Sequence, residues 1–148
     1  MGSGVSGLYG GAAPLVEEAH LDEMEKKGVK FSIDDIIMTA KDEKGNLVWL
    51  EKGDNNKGLQ HILYGSDGLI GHEKDFERAF KISKEGIPVF LKSIITNGSI
   101  ISDRKVKLSN GKIGIERVYN VDGKHFLLTG VGTNGFIVTS YPVEVKLR

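Results

Sequence analysis

The chain has 148 residues and no cysteine, and its 20 basic and 20 acidic side chains give a formal net charge of zero. This length suits one domain with a substantial core. The lack of thiols excludes a disulfide scaffold and a thiolate metal site. No apolar run reaches the roughly 20 residues of a membrane span, so we expect no membrane anchoring in this domain.

The N-terminal segment differs from the rest in composition. Residues 1–13 contain five glycines and lack the basic region and apolar core of a signal peptide. We interpret residues 1–13 as a flexible linker or expression scar, and residues 14–148 as a single domain. Charge is uneven, at −4 over residues 1–60 and +4 over 61–148. The basic half suits an anionic ligand, although charge alone favours an ordinary solvated surface.

The first elements are predicted from periodicity and helix-start signals. Residues 14–27 have a helical period, and His20 in this acidic segment is expected at the surface. Ser32 followed by two aspartates predicts a short helix at 33–40. An apolar run at 47–50 predicts a strand.

The segment 58–76 carries two of the four histidines, His61 and His72, on either side of a glycine-rich turn. We expect His61 in a short helix at 58–63 and His72 at the start of the next helix. Two imidazoles near neutral pKa can share acid and base roles, whereas single histidines are usually ordinary surface or core residues.

The pattern changes to strands after a helix that follows Pro88 and stops near Asn97. Short strands at 99–102 and 105–108 precede a hairpin turn at Asn110-Gly111. Further strands follow, with a glycine-rich connection at 130–135 and a last strand at 136–141. Helices followed by an antiparallel meander predict an α+β fold without internal repeats.

Two hydroxyl side chains are expected to share a face of the last strand. Thr139 and Tyr141 are two residues apart, and a strand points such residues to one side. Lys112, on the hairpin strand, is the candidate cation, with Arg117 and Lys105 as alternatives. Each of these residues also has an ordinary structural interpretation as a strand former or a solvated turn residue.

A zinc site is the competing interpretation of the histidines. It would use His61, His72 and an aspartate such as Asp67 or Asp75. The spacing of these residues fits no strong metal-binding motif, so the favoured interpretation has no metal and no cofactor.

Several motifs, in order, resemble one family. These are LVWLEKGDNNKGLQHIL, then His72 and Phe76, then IPVFLKSIITNG, and finally NGFIVTSYP. They are similar to C-terminal toxin domains of bacterial contact-dependent inhibition and polymorphic toxin systems, and more broadly to the barnase–EndoU–colicin–RelE-like ribonuclease superfamily. The resemblance implies N-terminal helices packed on a twisted C-terminal antiparallel sheet, a metal-independent ribonuclease and a dedicated immunity protein.

The resemblance also implies roles for individual residues. The two histidines and the final Thr-x-Tyr are similar to those of EndoU-type nucleases, which makes His61, His72, Thr139 and Tyr141 the predicted catalytic residues, with Lys112 as the cation. The expected reaction is attack by the RNA 2′-hydroxyl, which leaves a 2′,3′-cyclic phosphate, and tRNA is the expected substrate.

Substrate and inhibitor are both expected to use the basic half of the chain. Lys105, Lys107 and Arg117 are the predicted substrate-binding residues, and with Lys112 and Lys124 they form the expected target of an acidic immunity protein. The expected setting is secretion or cell-surface delivery into the cytoplasm of a target bacterium. The alternatives are a non-catalytic RNA- or protein-binding module and a metal-dependent DNA nuclease toxin.

Overall fold

The computed structural model describes residues 14–108 and 111–144, which form four helices and two antiparallel sheets. The helices are α1 (Glu18–Lys26), α2 (Gly58–Tyr64), α3 (Glu73–Phe80) and α4 (Ile87–Asn97). The strands are β1 (Ile36–Lys41), β2 (Leu47–Glu51), β3 (Ile100–Lys107), β4 (Ile113–Asn120), β5 (Phe126–Gly132) and β6 (Ile137–Val143). In these two stretches, no helix combines the length and apolar character needed to cross a membrane.

Strands β3 to β6 form a four-stranded meander in sequence order, and β1 pairs with β2 in a separate hairpin. The predicted α+β fold is confirmed, with the helices N-terminal to the larger sheet. The two sheets meet where Trp49 of β2 pairs with Phe136, just before β6. The Trp49 backbone N–H donates to the carbonyl of Gly135 at 3.0 Å, which fixes the hairpin against the sheet.

Most element predictions are confirmed, with small shifts of their ends. Helices α1, α2, α3 and α4 and strand β2 lie where they were expected. Strand β3 is continuous where two short strands were predicted, and β5 extends to Gly132, into the predicted connection. Asn110 of the hairpin turn and the linker at 1–13 lie outside the described residues.

The helix predicted at 33–40 is wrong, because β1 occupies Ile36–Lys41. Ser32 does form a helical-type turn, in which its carbonyl accepts the N–H groups of Asp35 and Ile36 at 3.0 and 3.1 Å. Its hydroxyl also donates to Asp35 at 2.9 Å. Short polar side chains stabilise isolated turns as well as helix starts, and the β-branched residues that follow pair with β2 instead.

His20 is also placed differently from the prediction, since its side chain is only 14% exposed. Its Nδ1 lies 2.9 Å from the hydroxyl of Thr39 in β1, which itself accepts the Glu17 backbone N–H at 3.0 Å. Lys92 of α4 donates to the Glu17 carboxylate at 2.6 Å, so this polar cluster ties α1, β1 and α4 together. Burial lowers the pKa of His20 despite the nearby Glu17 carboxylate.

The two faces of the four-stranded sheet have different surroundings. Along each strand, alternate residues point to opposite sides. We call the side that packs on the main hydrophobic core the core face; it carries Ile115, Arg117, Tyr119, Leu127, Thr129, Val131 and Ser140. We call the other side the outer face; it carries Arg104, Glu116, Val118, Leu128, Gly130, Thr139 and Tyr141.

The main core lies between the core face, α4 and the β1–β2 hairpin, and it includes Leu91, Ile95 and Leu127, all 0% exposed. Helices α2 and α3 pack beside β6 and contribute Ile62 and Phe76 to this core. A smaller apolar cluster lies on the outer face, formed by Val118, Phe126 and Leu128 with Tyr141 and Val143 against them.

Candidate functional site

His72 lies directly before α3 and against the outer face of β6. Its imidazole stacks on the ring of Tyr141, with centroids 4.4 Å apart and planes inclined by 18°. Its Nδ1 lies 2.8 Å from Oδ2 of Asp75, in the first turn of α3. The ring is therefore held from two sides, by a flat aromatic surface and by a carboxylate.

The Asp75 contact also fixes the tautomer of His72. A carboxylate only accepts, so Nδ1 of His72 carries the proton and Nε2 is the nitrogen that can take up or release one. The hydrogen bond from His72 lowers the pKa of Asp75, and Arg78, 2.6 Å away, acts in the same direction. Asp75 therefore stays charged at neutral pH and holds the His72 ring through a charge-assisted hydrogen bond.

A tight glycine turn brings His72 back to α2. The His72 backbone N–H donates to the Ile62 carbonyl at 2.7 Å, so the chain after the turn lies against the helix that carries His61. Gly65 has φ +73°, and a Cβ there would lie 2.0 Å from the carbonyl oxygen of Ile70. Only glycine allows this approach, so the predicted glycine-dependent turn between the histidines is confirmed.

His61 is 7% exposed in α2. Its Nδ1 lies 2.8 Å from the carbonyl oxygen of Asn55, which can only accept, so this nitrogen carries the proton. The bond anchors the loop before α2. His61 therefore has the same tautomer as His72, but it is far more enclosed than His72, whose side chain is 33% exposed.

Tyr141 and Thr139 share the outer face as predicted. Thr139 is 7% exposed, and Tyr141 is half-buried. Burial raises the pKa of the Tyr141 phenol, and the negative charge of Glu116 on β4 raises it further. Tyr141 is therefore a neutral hydrogen-bond donor at physiological pH.

Glu116 and Arg104 extend the outer face across the sheet. Register places Arg104, Glu116, Gly130 and Thr139 in one cross-strand row. The Arg104 guanidinium donates to Oε1 of Glu116 through Nε at 3.2 Å and Nη2 at 3.0 Å. Gly130 has no side chain, and the position above it is filled by neighbours, because a Cβ there would lie 3.0 Å from Leu108 Cδ2 and 3.2 Å from Thr139 Cγ2.

Lys112 lies apart from the stacked pair. It is exposed in the β3–β4 turn, six residues before Val118, which lies in the same cross-strand row as Tyr141. Six residues of strand span about 20 Å, so Lys112 lies far along the sheet from the row that contains Tyr141. Lys112 instead lines a depression of about 310 Å³ together with Lys57, which immediately precedes α2.

The three predicted substrate-binding residues lie on the core-face side of their strands. Lys105 and Lys107 are exposed on β3, where register aligns them with Ile115 and Ile113. Arg117 is 6% exposed and pairs with Asp103 at 3.2 Å and with buried Asp42 at 3.9 Å. Alternation therefore turns all three away from Thr139 and Tyr141.

Within residues 14–108 and 111–144, no group of three or more histidine, aspartate or glutamate side chains is arranged to hold a metal ion. The two aspartates of the zinc alternative have other partners. Asp67 accepts the backbone N–H groups of Leu69 and Ile70 at 2.8 and 3.1 Å, and these bonds lower its pKa. Asp75 accepts from His72 and Arg78.

Sequence reasoning missed the roles of Asp75 and Glu116 at this site. Asp75 follows His72 by three residues at a helix start, a spacing that places the two side chains on one helix face, so the signal was present in the sequence. Glu116 shares a face with Thr139 only through the register of three strands, and no local pattern encodes that register.

The fold and this geometry define an α+β protein in which a carboxylate-oriented histidine lies against a sheet face that carries a neutral phenol and a threonine hydroxyl. Compared with protein-family models and with curated proteins, the chain gives no match.

Proposed function

We propose that this domain is a metal-independent RNA endonuclease of the toxin type, with its active site on the outer face beside His72. The observation that carries the proposal is the Asp75–His72–Tyr141 arrangement, in which a carboxylate and an aromatic ring fix one imidazole. A histidine with a defined tautomer and partial exposure is suited to proton transfer near neutral pH. The resemblance to EndoU-type nucleases supports the same choice of residues.

The reaction needs no group from outside the protein and RNA. A base removes the proton of a 2′-hydroxyl, whose oxygen attacks the adjacent phosphorus, while an acid protonates the departing 5′-oxygen. The products are a 2′,3′-cyclic phosphate and a free 5′-hydroxyl. In our proposal Nε2 of His72 makes one of these transfers, and the Tyr141 phenol and Thr139 hydroxyl donate to the phosphoryl oxygens.

The other proton transfer has two candidates. His61 is the second histidine of the sequence motif, and the bond between His72 and Ile62 keeps its helix close. Glu116 lies on the outer face, and its charge acts on Tyr141. Separate His61→Ala and Glu116→Gln variants decide between them, because loss of the second transfer group removes one limb of a bell-shaped pH–rate profile.

The direct test is to incubate the purified protein with bacterial tRNA in EDTA and to analyse the new RNA ends. We expect cleavage with 2′,3′-cyclic phosphate ends, reduced about 10²- to 10⁴-fold by His72→Ala. His125→Ala is the matched control, because Nδ1 of His125 also lies 2.8 Å from a carboxylate, that of Asp122, in the β4–β5 turn. Intact RNA at every concentration of folded wild-type protein would contradict the proposal.

The alternatives make different predictions in the same assay. A non-catalytic RNA- or protein-binding module would bind equally well with His61→Ala and His72→Ala and would cut nothing. A DNA nuclease toxin would degrade plasmid in the presence of a divalent cation and leave RNA intact.

The setting implied by the resemblance is delivery into a competing bacterium, with an immunity protein protecting the producer. We propose that this inhibitor is acidic and is attracted to the exposed lysines of β3. Lys105→Glu combined with Lys107→Glu should slow association at low salt. An unchanged association rate would exclude electrostatic capture by β3.

A further inference from the structure

A second basic region lies at the end of the outer face away from Tyr141. A depression of about 310 Å³ lies between Lys57, the β5–β6 turn, and the two described residues Leu108 and Lys112 beside the β3–β4 turn. Lys57 and Lys112 line it from opposite segments of the chain, and Leu108, Phe136 and Val138 supply apolar surface. The volume lies near the lower end of the range for small-molecule sites.

This depression borders the outer face. Leu108, which lines it, also lies over Gly130, since a Cβ at Gly130 would be 3.0 Å from Leu108 Cδ2. Gly130 pairs with Thr139, and Val138 of the depression precedes Thr139 in the chain. The depression and the Thr139 row therefore lie on opposite sides of the Leu108 side chain, which is 8% exposed.

The lining combines the chemistry that one nucleotide requires. Two ammonium groups favour a phosphate, and apolar and aromatic surface favours a base. The ring of Phe136 is held at 85° against Trp49, which is 1% exposed, so its position is fixed before any ligand arrives. A ring held in this way can contact a base without the cost of ordering that side chain.

We propose that this depression binds one nucleotide of the RNA substrate, on the Thr139 side of the cleaved bond. Lys57 and Lys112 contact its phosphate, and Leu108, Phe136 and Val138 contact its base. This inference rests on the proposed ribonuclease function and gives Lys112 a substrate-binding role in place of the catalytic role predicted from the sequence.

The binding test uses a fluorescent single-stranded RNA and the His72→Ala variant, which cannot consume the probe if His72 is catalytic. We add Lys57→Ala with Lys112→Ala, and compare it with Lys105→Ala plus Lys107→Ala. The control pair removes the same charge from exposed lysines on the core-face side of β3. We expect about tenfold weaker binding for the first pair, and a log–log salt slope shallower by about 0.7 because one phosphate contact is lost, against little change for the control.

If substitution of either lysine pair changed affinity and salt slope equally, the proposed subsite would be wrong. A cleavage arm separates this failure from failure of the proposed function. If wild-type protein cuts RNA but KM is the same with and without Lys57 and Lys112, the subsite is wrong and the ribonuclease stands. If wild-type protein cuts no RNA, the ribonuclease proposal is wrong, and the binding comparison still decides whether the depression takes RNA.

Discussion

The core face and the outer face of the same four strands use similar residue types for different purposes. Leu127 and Leu128 are adjacent on β5, yet the first is 0% exposed in the main core and the second is 9% exposed in a small cluster. Arg117 is enclosed between two aspartates, whereas the side chain of Arg104 is 68% exposed. Strand alternation thus places one side in the main core and leaves the other side with a smaller apolar cluster and an exposed ion pair.

The largest expected effect on stability comes from the two leucines. Leu127→Ala removes a fully buried side chain from the main core and should cost about 3–4 kcal/mol of unfolding free energy. Leu128→Ala affects the smaller cluster and should cost about 2 kcal/mol. Denaturant unfolding of both variants measures the difference, and equal losses would contradict the distinction between the faces.

The two arginines should differ in the same direction. Arg117→Ala leaves the Asp42 side chain, which is 0% exposed, and Asp103 without their shared cation, at a cost of about 3 kcal/mol. Arg104→Ala breaks an exposed pair with Glu116 and should cost less than about 1 kcal/mol. Thermal or denaturant unfolding checks both values. A large loss of unfolding free energy in Arg104→Ala would show that the outer face also contributes strongly to stability.

The smallest expected effect is electrostatic and concerns Tyr141. Both burial and Glu116 raise its pKa above the ordinary value of 10.0, so its phenolate forms only at higher pH. Glu116→Gln removes the weaker of these causes and should lower the pKa only part of the way. An NMR titration of the Tyr141 ring measures this pKa in both proteins, and Glu73→Gln on α3 is the control. An unchanged pKa in Glu116→Gln would show that the charge of Glu116 does not act on Tyr141.

The helices and strands were largely predictable from local sequence, because each carries its own period and boundary residues. The failure at β1 is instructive, since Ser32 and Asp35 make the same turn whether or not a helix follows. His20 was misplaced for a related reason: its acidic neighbours indicated solvent, whereas its partner Thr39 lies on a distant strand.

The candidate site was predictable only in part. The pairing of Thr139 with Tyr141 follows from alternation within one strand, and the close return of His72 to α2 follows from the glycines between the histidines. The register across β3 to β6 decides which face of the sheet carries the cations Lys105, Lys107 and Arg117. A shift of one residue would reverse them, so sequence alone could not assign these cations to the correct face.

The most direct test of the account is a methyl NMR experiment on the His72→Ala variant with single-stranded RNA. The outer face offers methyl groups on Val118, Leu128 and Thr139, and the core face offers Leu127, Val131 and Ile137 on the same or neighbouring strands. We predict that RNA shifts the outer-face methyl signals and leaves the core-face signals nearly unchanged. Shifts confined to the core-face group or to the lysine-bearing side of β3, with Val118, Leu128 and Thr139 unaffected, would contradict the assignment of the outer face as the RNA-binding surface.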